Sequence, residues 1–208
     1  MLPNIATDII EGTNDVQTNQ MTLHTGSGCS ISPSLMSGNL STTNCDASSG
    51  DNTGCAITTT DTATYGSSFN KNGGGVYATL LGRSHIIVWF WPRTAIPTDI
   101  SGSTPDPSTW STPIANFSGP CDFDTAFAAQ RIIFDTTFCG DWAGSTWSES
   151  SCAAKGPTCE DYVANNGADF NEAYWSINSL KVYQHEHSLT RRSIRSEDFG
   201  PAHHGTHY

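Results

Sequence analysis

The sequence predicts an all-β fold, a two-sheet antiparallel sandwich or jelly roll, on three observations. Short apolar or β-branched runs recur between clusters of Gly, Ser, Asn and Pro, the pattern of strands joined by long turns. Helix signals are few. Only 14% of the residues are charged against 36% hydrophobic, so the polarity comes from Ser, Thr, Asn and Gly, as in loop-rich β proteins. At 208 residues the chain has the length of one domain or a large piece of one.

The first strand is expected in Ala6-Thr7-Asp8-Ile9-Ile10-Glu11-Gly12. In a regular strand Asp8 and Glu11 would point to opposite faces, each face mixing a carboxylate with an isoleucine. A β-bulge at Ile9-Ile10 restores the phase, so that positions 6, 8 and 11 line one face and isoleucine goes to the core. Further strands are expected at 21–25, 56–60, 75–81, 85–91, 131–138 and 174–183. In 85–91, Trp89 and Trp91 share a face with Ile87, and Pro92 ends the pairing. Two short helices are expected, one at 122–130 and one at 158–165 with a Thr158 cap and acids in its first turn. Residues 1–184 form the expected domain. Residues 185–208 hold five of the seven histidines without strand-like alternation and are expected to be a disordered tail. In it, His185-Glu186-His187 and His203-His204-Gly205-Thr206-His207 supply metal-ligand types with nothing to orient them, so no metal or cofactor is expected.

The net charge is −11, and residues 1–183 carry all of it, with 17 acids and 6 bases. An acidic body repels phosphate backbones, which argues against nucleic acid or an anionic membrane surface as a partner. Neutral sugars meet no such penalty. No apolar run approaches the ~18 residues of a membrane span. Seven cysteines without a CxxC pair, together with the sequons Asn39-Leu40-Ser41 and Asn116-Phe117-Ser118, fit a secreted, disulfide-bonded chain. The N-terminus lacks the basic and apolar regions of a signal peptide. With the odd cysteine count, this raises the expectation of an upstream segment carrying an eighth cysteine. One buried free thiol is the alternative.

Asp8-Ile9-Ile10-Glu11-Gly12 and Asn19-Gln20-Met21-Thr22-Leu23-His24-Thr25 are followed in order by Thr43-Asn44-Cys45-Asp46 and Gly73-Gly74-Gly75-Val76-Tyr77. Then come Val88-Trp89-Phe90-Trp91-Pro92-Arg93, the run from Phe134 through Gly140-Asp141-Trp142-Ala143-Gly144, and Tyr174-Trp175-Ser176-Ile177. These blocks resemble glycoside hydrolase family 16, in particular the fungal-type endo-beta-1,3(4)-glucanases or laminarinases. The resemblance implies a concanavalin-like β jelly roll, here incomplete on its N-terminal side. It also implies a secreted or cell-wall location and hydrolysis of internal beta-1,3 or beta-1,4 glucosidic bonds with retention of configuration.

The family signature is E-x-D-x-x-E, in which the first Glu is the nucleophile, the Asp assists and the last Glu is the acid/base. The resemblance therefore makes Glu11 the acid/base, Asp8 the assisting carboxylate and Ala6 the position of the missing nucleophile. Retention needs two carboxyls about 5 to 5.5 Å apart, and alanine supplies none. Gln20, Thr22 and His24 share a strand face, and the resemblance runs that strand beside the catalytic one, so Gln20 and His24 are expected to meet substrate or Glu11. Trp142, in a Gly/Asp loop, is the expected sugar platform, with Trp89 and Trp91 as further candidates, because aromatic faces pack against sugar C–H groups. Asn14 and Asp15 are expected to be turn residues. The expected partner is a beta-glucan polysaccharide or oligosaccharide, bound by a monomer. Ala6 keeps a second expectation open, a non-catalytic beta-glucan-binding protein or an inactive fragment.

Overall fold

Alternation along residues 20–24 decides the first sheet. Met21 and Leu23 are fully buried, and the neighbours between them face the other way. In the computed structural model, which describes residues 5–48 and 50–184, this strand is one of four in its sheet. They are β1 (Ala6–Glu11), β2 (Gln20–His24), β3 (Asn39–Leu40) and β4 (Cys55–Thr58), in the order β1-β2-β4-β3. The second sheet holds β5 (Gly75–Leu81), β6 (His85–Pro92) and β7 (Ala115–Ser118) in that order. All pairings are antiparallel, as the fold class predicts.

One apolar cluster lies between the sheets, with Met21, Leu23 and Ile57 from the first and Ile86, Val88 and Phe117 from the second. Each such side chain, fully withdrawn from water, contributes on the order of 1.5–3 kcal/mol. Disulfides Cys29–Cys121 and Cys45–Cys55 tie loops to this core. A third, Cys139–Cys159, sits in a separate small cluster with Trp147 and Cys152, and Cys152 is a buried free thiol.

The described residues hold four short α-helices, α1 (Gly66–Lys71) between β4 and β5, and α2 (Phe123–Ala126), α3 (Asp141–Thr146) and α4 (Cys159–Asn165) after β7. Thr158 caps α4 through the Asp161 N–H at 3.1 Å, with Glu160 and Asp161 in the first turn, as its sequence requires. The helix expected over 122–130 is shorter. Asp122 caps it, Phe127 already leaves helical geometry, and Ala129 has a φ of +57°.

Two expected strands do not form. Residues 131–138 are irregular and exposed, with Ile133 at 74%. Residues 174–183 likewise contain no strand. Strand propensity expresses how well a side chain fits a pleated, half-buried surface, and no described strand offers these segments a ladder. β3 and β7 form where no strand was expected. The chain divides into the units Met1–Trp175 and Ser176–Tyr208, while the sequence placed its boundary between 184 and 185. The expected tail and its histidine pairs lie outside the described residues. Among the described residues no helix is long and apolar enough to cross a membrane.

Candidate active site

β1 carries the bulge its sequence calls for. Ala6 pairs with His24, Asp8 with Thr22 and Glu11 with Gln20, so three steps along β1 match two along β2. Cross-strand partners share a face, which places Ala6, Asp8 and Glu11 with Gln20, Thr22 and His24. This face is the one opposite Met21 and Leu23. Ile9 packs against the core, as the phase argument requires.

A residue that sequence reasoning passed over holds the bulge open. Asn19 is 1% exposed. Its Oδ1 accepts the Glu11 N–H at 2.9 Å and its Nδ2 donates to the Ile9 carbonyl at 2.9 Å. The amide thus satisfies the backbone groups that the extra residue removes from the ladder. Asn19 is fixed in turn, since its N–H donates to Thr64 Oγ1 at 3.2 Å and its carbonyl accepts the Thr59 N–H at 3.0 Å. No local pattern announces this role; it exists only once β1, β2 and the 59–64 segment meet.

The carboxylates are individually held. Thr22 Oγ1 donates to Glu11 Oε2 at 2.9 Å, and Gln20 Nε2 donates to Thr22 Oγ1 at 3.1 Å. His24 Nε2 lies 3.3 Å from Asp8 Oδ2. Burial, reinforced by the Asp8 charge, raises the Glu11 pKa above its ordinary 4.5, against the lowering pull of Thr22, His24 and Gln20. The hydrogen bond to Asp8 raises the His24 pKa above 6.5, opposed by desolvation and aided by the charges of Asp8 and Glu11. The face therefore keeps a proton on Glu11 to a higher pH than a solvated glutamate would hold one. Donor atoms of Asp8, Glu11 and His24 all fall within 4.8 Å of one another, a spacing at which cations are also held. Here an ion pair and hydrogen bonds engage them.

Close backbone approaches frame the cluster. Gly54, with φ +67°, lets β4 begin against His24, where an added Cβ would stand 2.8 Å from Nδ1 and 2.5 Å from the Leu23 carbonyl. Gly12 fits under Tyr65, whose hydroxyl donates to the Gly12 carbonyl at 3.3 Å. Burial, and after it the Glu11 charge, raises the Tyr65 pKa. Tyr65 is a second neighbour of the site that the sequence did not mark.

Asn14 and Asp15 form the turn after Glu11, Asn14 with a φ of +52°. Asn14 Nδ2 donates to the Ala143 carbonyl at 3.1 Å and to Thr146 Oγ1 at 2.8 Å, while Asp15 accepts from the Ser151 N–H at 2.9 Å and from its hydroxyl. These bonds bring α3 to the turn. Trp142, on α3 and 39% exposed, lines a hollow of about 240 Å³ with Thr13, Asp15, Val16 and Glu149.

Trp89 and Trp91 stand elsewhere in the packing. They are 5% and 6% exposed, their indole N–H groups donate to the Ser111 carbonyl and hydroxyl at 2.8 and 3.2 Å, and both meet Trp110 edge-on at 5.1 Å. Neither presents an open ring face to a ligand, because both faces of β6 are covered.

Residues 6–183 match the model of the XgeA-like catalytic GH16 domain. A probable endo-1,3(4)-beta-glucanase of Aspergillus fumigatus is 46% identical over 184 residues, 86% of this chain and 28% of the relative. A probable glycosidase of Schizosaccharomyces pombe is also 46% identical over 184 residues, covering 86% of this chain and 43% of the relative. Among solved structures, GH16 laminarinase 16A from Phanerochaete chrysosporium superposes with a TM-score of 0.75 at 43% identity, covering 81% of this chain and 58% of that one. That structure holds 6-O-glucosyl-laminaritriose in donor and acceptor sites. A GH16 elongating beta-1,3-glucosyltransferase gives a TM-score of 0.72 at 42% identity, with the same coverage. The chain thus spans well under two thirds of the length of these relatives.

Proposed function

The chain belongs to glycoside hydrolase family 16, in its XgeA-like catalytic group, and on that premise we propose that the Asp8–Glu11 face is the cleavage site of an endo-acting beta-glucan hydrolase in which the attacking carboxylate is replaced by Ala6. The observation that carries this reading is the bulge, which turns Asp8 and Glu11 to one face and puts Ala6 in phase with them.

In this reading Glu11 gives its proton to the glycosidic oxygen as the bond to the anomeric carbon breaks, and its raised pKa keeps that proton available. Asp8, paired with His24, supplies the neighbouring negative charge that favours the protonated acid. Trp142 and the turn at 13–16, which follows Glu11 in the chain, offer an aromatic face and polar groups for a sugar ring. A retaining displacement also needs a carboxylate on the opposite side of the anomeric centre. The Ala6 methyl cannot form the glycosyl intermediate, so turnover by this chain is slow and glucan binding dominates.

The test is Ala6→Glu, assayed by reducing-end release from laminarin and lichenan. The variant is expected to outpace the natural chain clearly, and adding Glu11→Gln to it should lower the rate by about 10²–10⁴-fold. An Ala6→Glu protein that is folded and binds laminarin, yet releases nothing above the natural chain, would sink the proposal. Ala6 also favours a second reading, a non-catalytic beta-glucan-binding protein. Laminarin binding with no release from either form supports that alternative.

A further inference from the structure

We propose that Asn39 carries an N-linked glycan, that Asn116 does not, and that the glycan shields the outer edge of the four-stranded sheet. Both asparagines stand in N-x-S triplets, and the fold separates them. Among the described residues β3 is the last strand of its sheet and pairs with β4, Asn39 opposite Thr58 and Leu40 opposite Ile57. Leu40 packs against the core, so alternation turns Asn39 outward. Asn39 and Ser41 are both exposed, and no hydrogen bond engages either side chain among the described residues.

Asn116 lies in β7, which is also the last strand of its sheet but is covered along its free side. Ser34 Oγ donates to the Asn116 carbonyl at 2.7 Å, the Ser32 N–H to the Ser118 carbonyl at 2.8 Å, and the Ser37 and Gly38 N–H groups to the carbonyls of Pro113 and Ile114. The Asn116 Oδ1 is buried without a partner, and Phe117, between the two sequon positions, is fully buried. A glycan there would have to displace the atoms that bury the Asn116 amide oxygen.

Three disulfides fit folding in an oxidising secretory compartment, where such transfer occurs. The bond formed joins Asn39 Nδ2 to C1 of an oligosaccharide. The bond broken joins that C1 to the diphosphate of a lipid-linked donor, which departs as the lipid diphosphate while the amide gives up a proton. The product stands at β3, the last strand of its sheet among the described residues. Open edges of this kind pair with other chains unless they are obstructed. None of this depends on the hydrolase reading.

The experiment secretes the full 208-residue chain from a eukaryotic host behind a heterologous leader, then maps peptides after glycosidase release in ¹⁸O-water. Asn39 should be converted to labelled Asp and Asn116 should not. Asn39→Gln and Ser41→Ala should each abolish the mobility shift, while Asn116→Gln keeps it. Where secretion is poor, translation into microsomes gives the same readout. An unlabelled Asn39, or labelling at Asn116 in its place, overturns the assignment. Trimming the glycan from the folded protein should increase light scattering on standing, and unchanged scattering overturns the shielding role.

Discussion

Glu11 and His24 each bind a proton more tightly in the folded protein than in the unfolded chain, for different reasons: burial first for Glu11, the bond to Asp8 first for His24. A raised folded-state pKa contributes stability that is complete below the unfolded value and disappears as pH rises through the folded one. The contribution of Glu11 therefore starts to fall above pH 4.5, and that of His24 above pH 6.5. Denaturant midpoints measured from pH 4 upward should decline across those two windows relative to variants that lack the groups. Glu11→Gln should flatten the lower one and His24→Gln the upper. A midpoint that rises with pH through both on that comparison would contradict the assignment. The same proton on Glu11 is what the proposed chemistry uses, so in Ala6→Glu the limb of the activity profile set by the acid should lie above the ordinary glutamate range.

The bulge in β1 is the element on which the site rests, and Asn19 is its fastener. Asn19→Ala leaves the Glu11 N–H and the Ile9 carbonyl without their partner, which should cost about 1–3 kcal/mol of unfolding free energy. It should also reduce glucan cleavage in the Ala6→Glu background beyond what the lost stability explains, because Glu11 loses its fixed aim. The bulge itself was legible: only an extra residue reconciles Asp8, Glu11 and a buried isoleucine in so short a run. Strands β2, β4, β5 and β6 were legible for a different reason, as apolar or β-branched runs bounded by turn residues. Asn19 was not, because its partners are backbone groups brought to it by register. β3 is only two residues long, and β7 was passed over although Ala115-Asn116-Phe117-Ser118 alternates buried and half-buried positions. In the segment 131–138 the β-branched and aromatic run was read as a strand, but such a run becomes one only beside another strand, and Ile132 and Ile133 remain exposed. The carboxylate face was thus readable from local spacing. The packing of the aromatic residues was not, since the burial of Trp89 and Trp91 against Trp110 and the exposure of Trp142 arise from contacts distant in sequence.

At the scale of the molecule, stability is concentrated between the two sheets. Phe117→Ala, at a fully buried position, should cost about 3–5 kcal/mol. Ile133→Ser, at a side chain 74% exposed, should change stability by less than about 0.5 kcal/mol. Comparable losses from the two would mean that the 131–138 segment carries packing of its own. The site stands at the border of this core, on a strand with one neighbour among the described residues, and the turn beyond it is joined to α3 through Asn14. That junction fixes where the indole of Trp142 stands relative to the carboxylate strand. An oligosaccharide that packs on this ring should therefore alter tryptophan emission, and Asn14→Ala, which frees α3 from the turn, should weaken the signal, making the protein an optical reporter of its own occupancy.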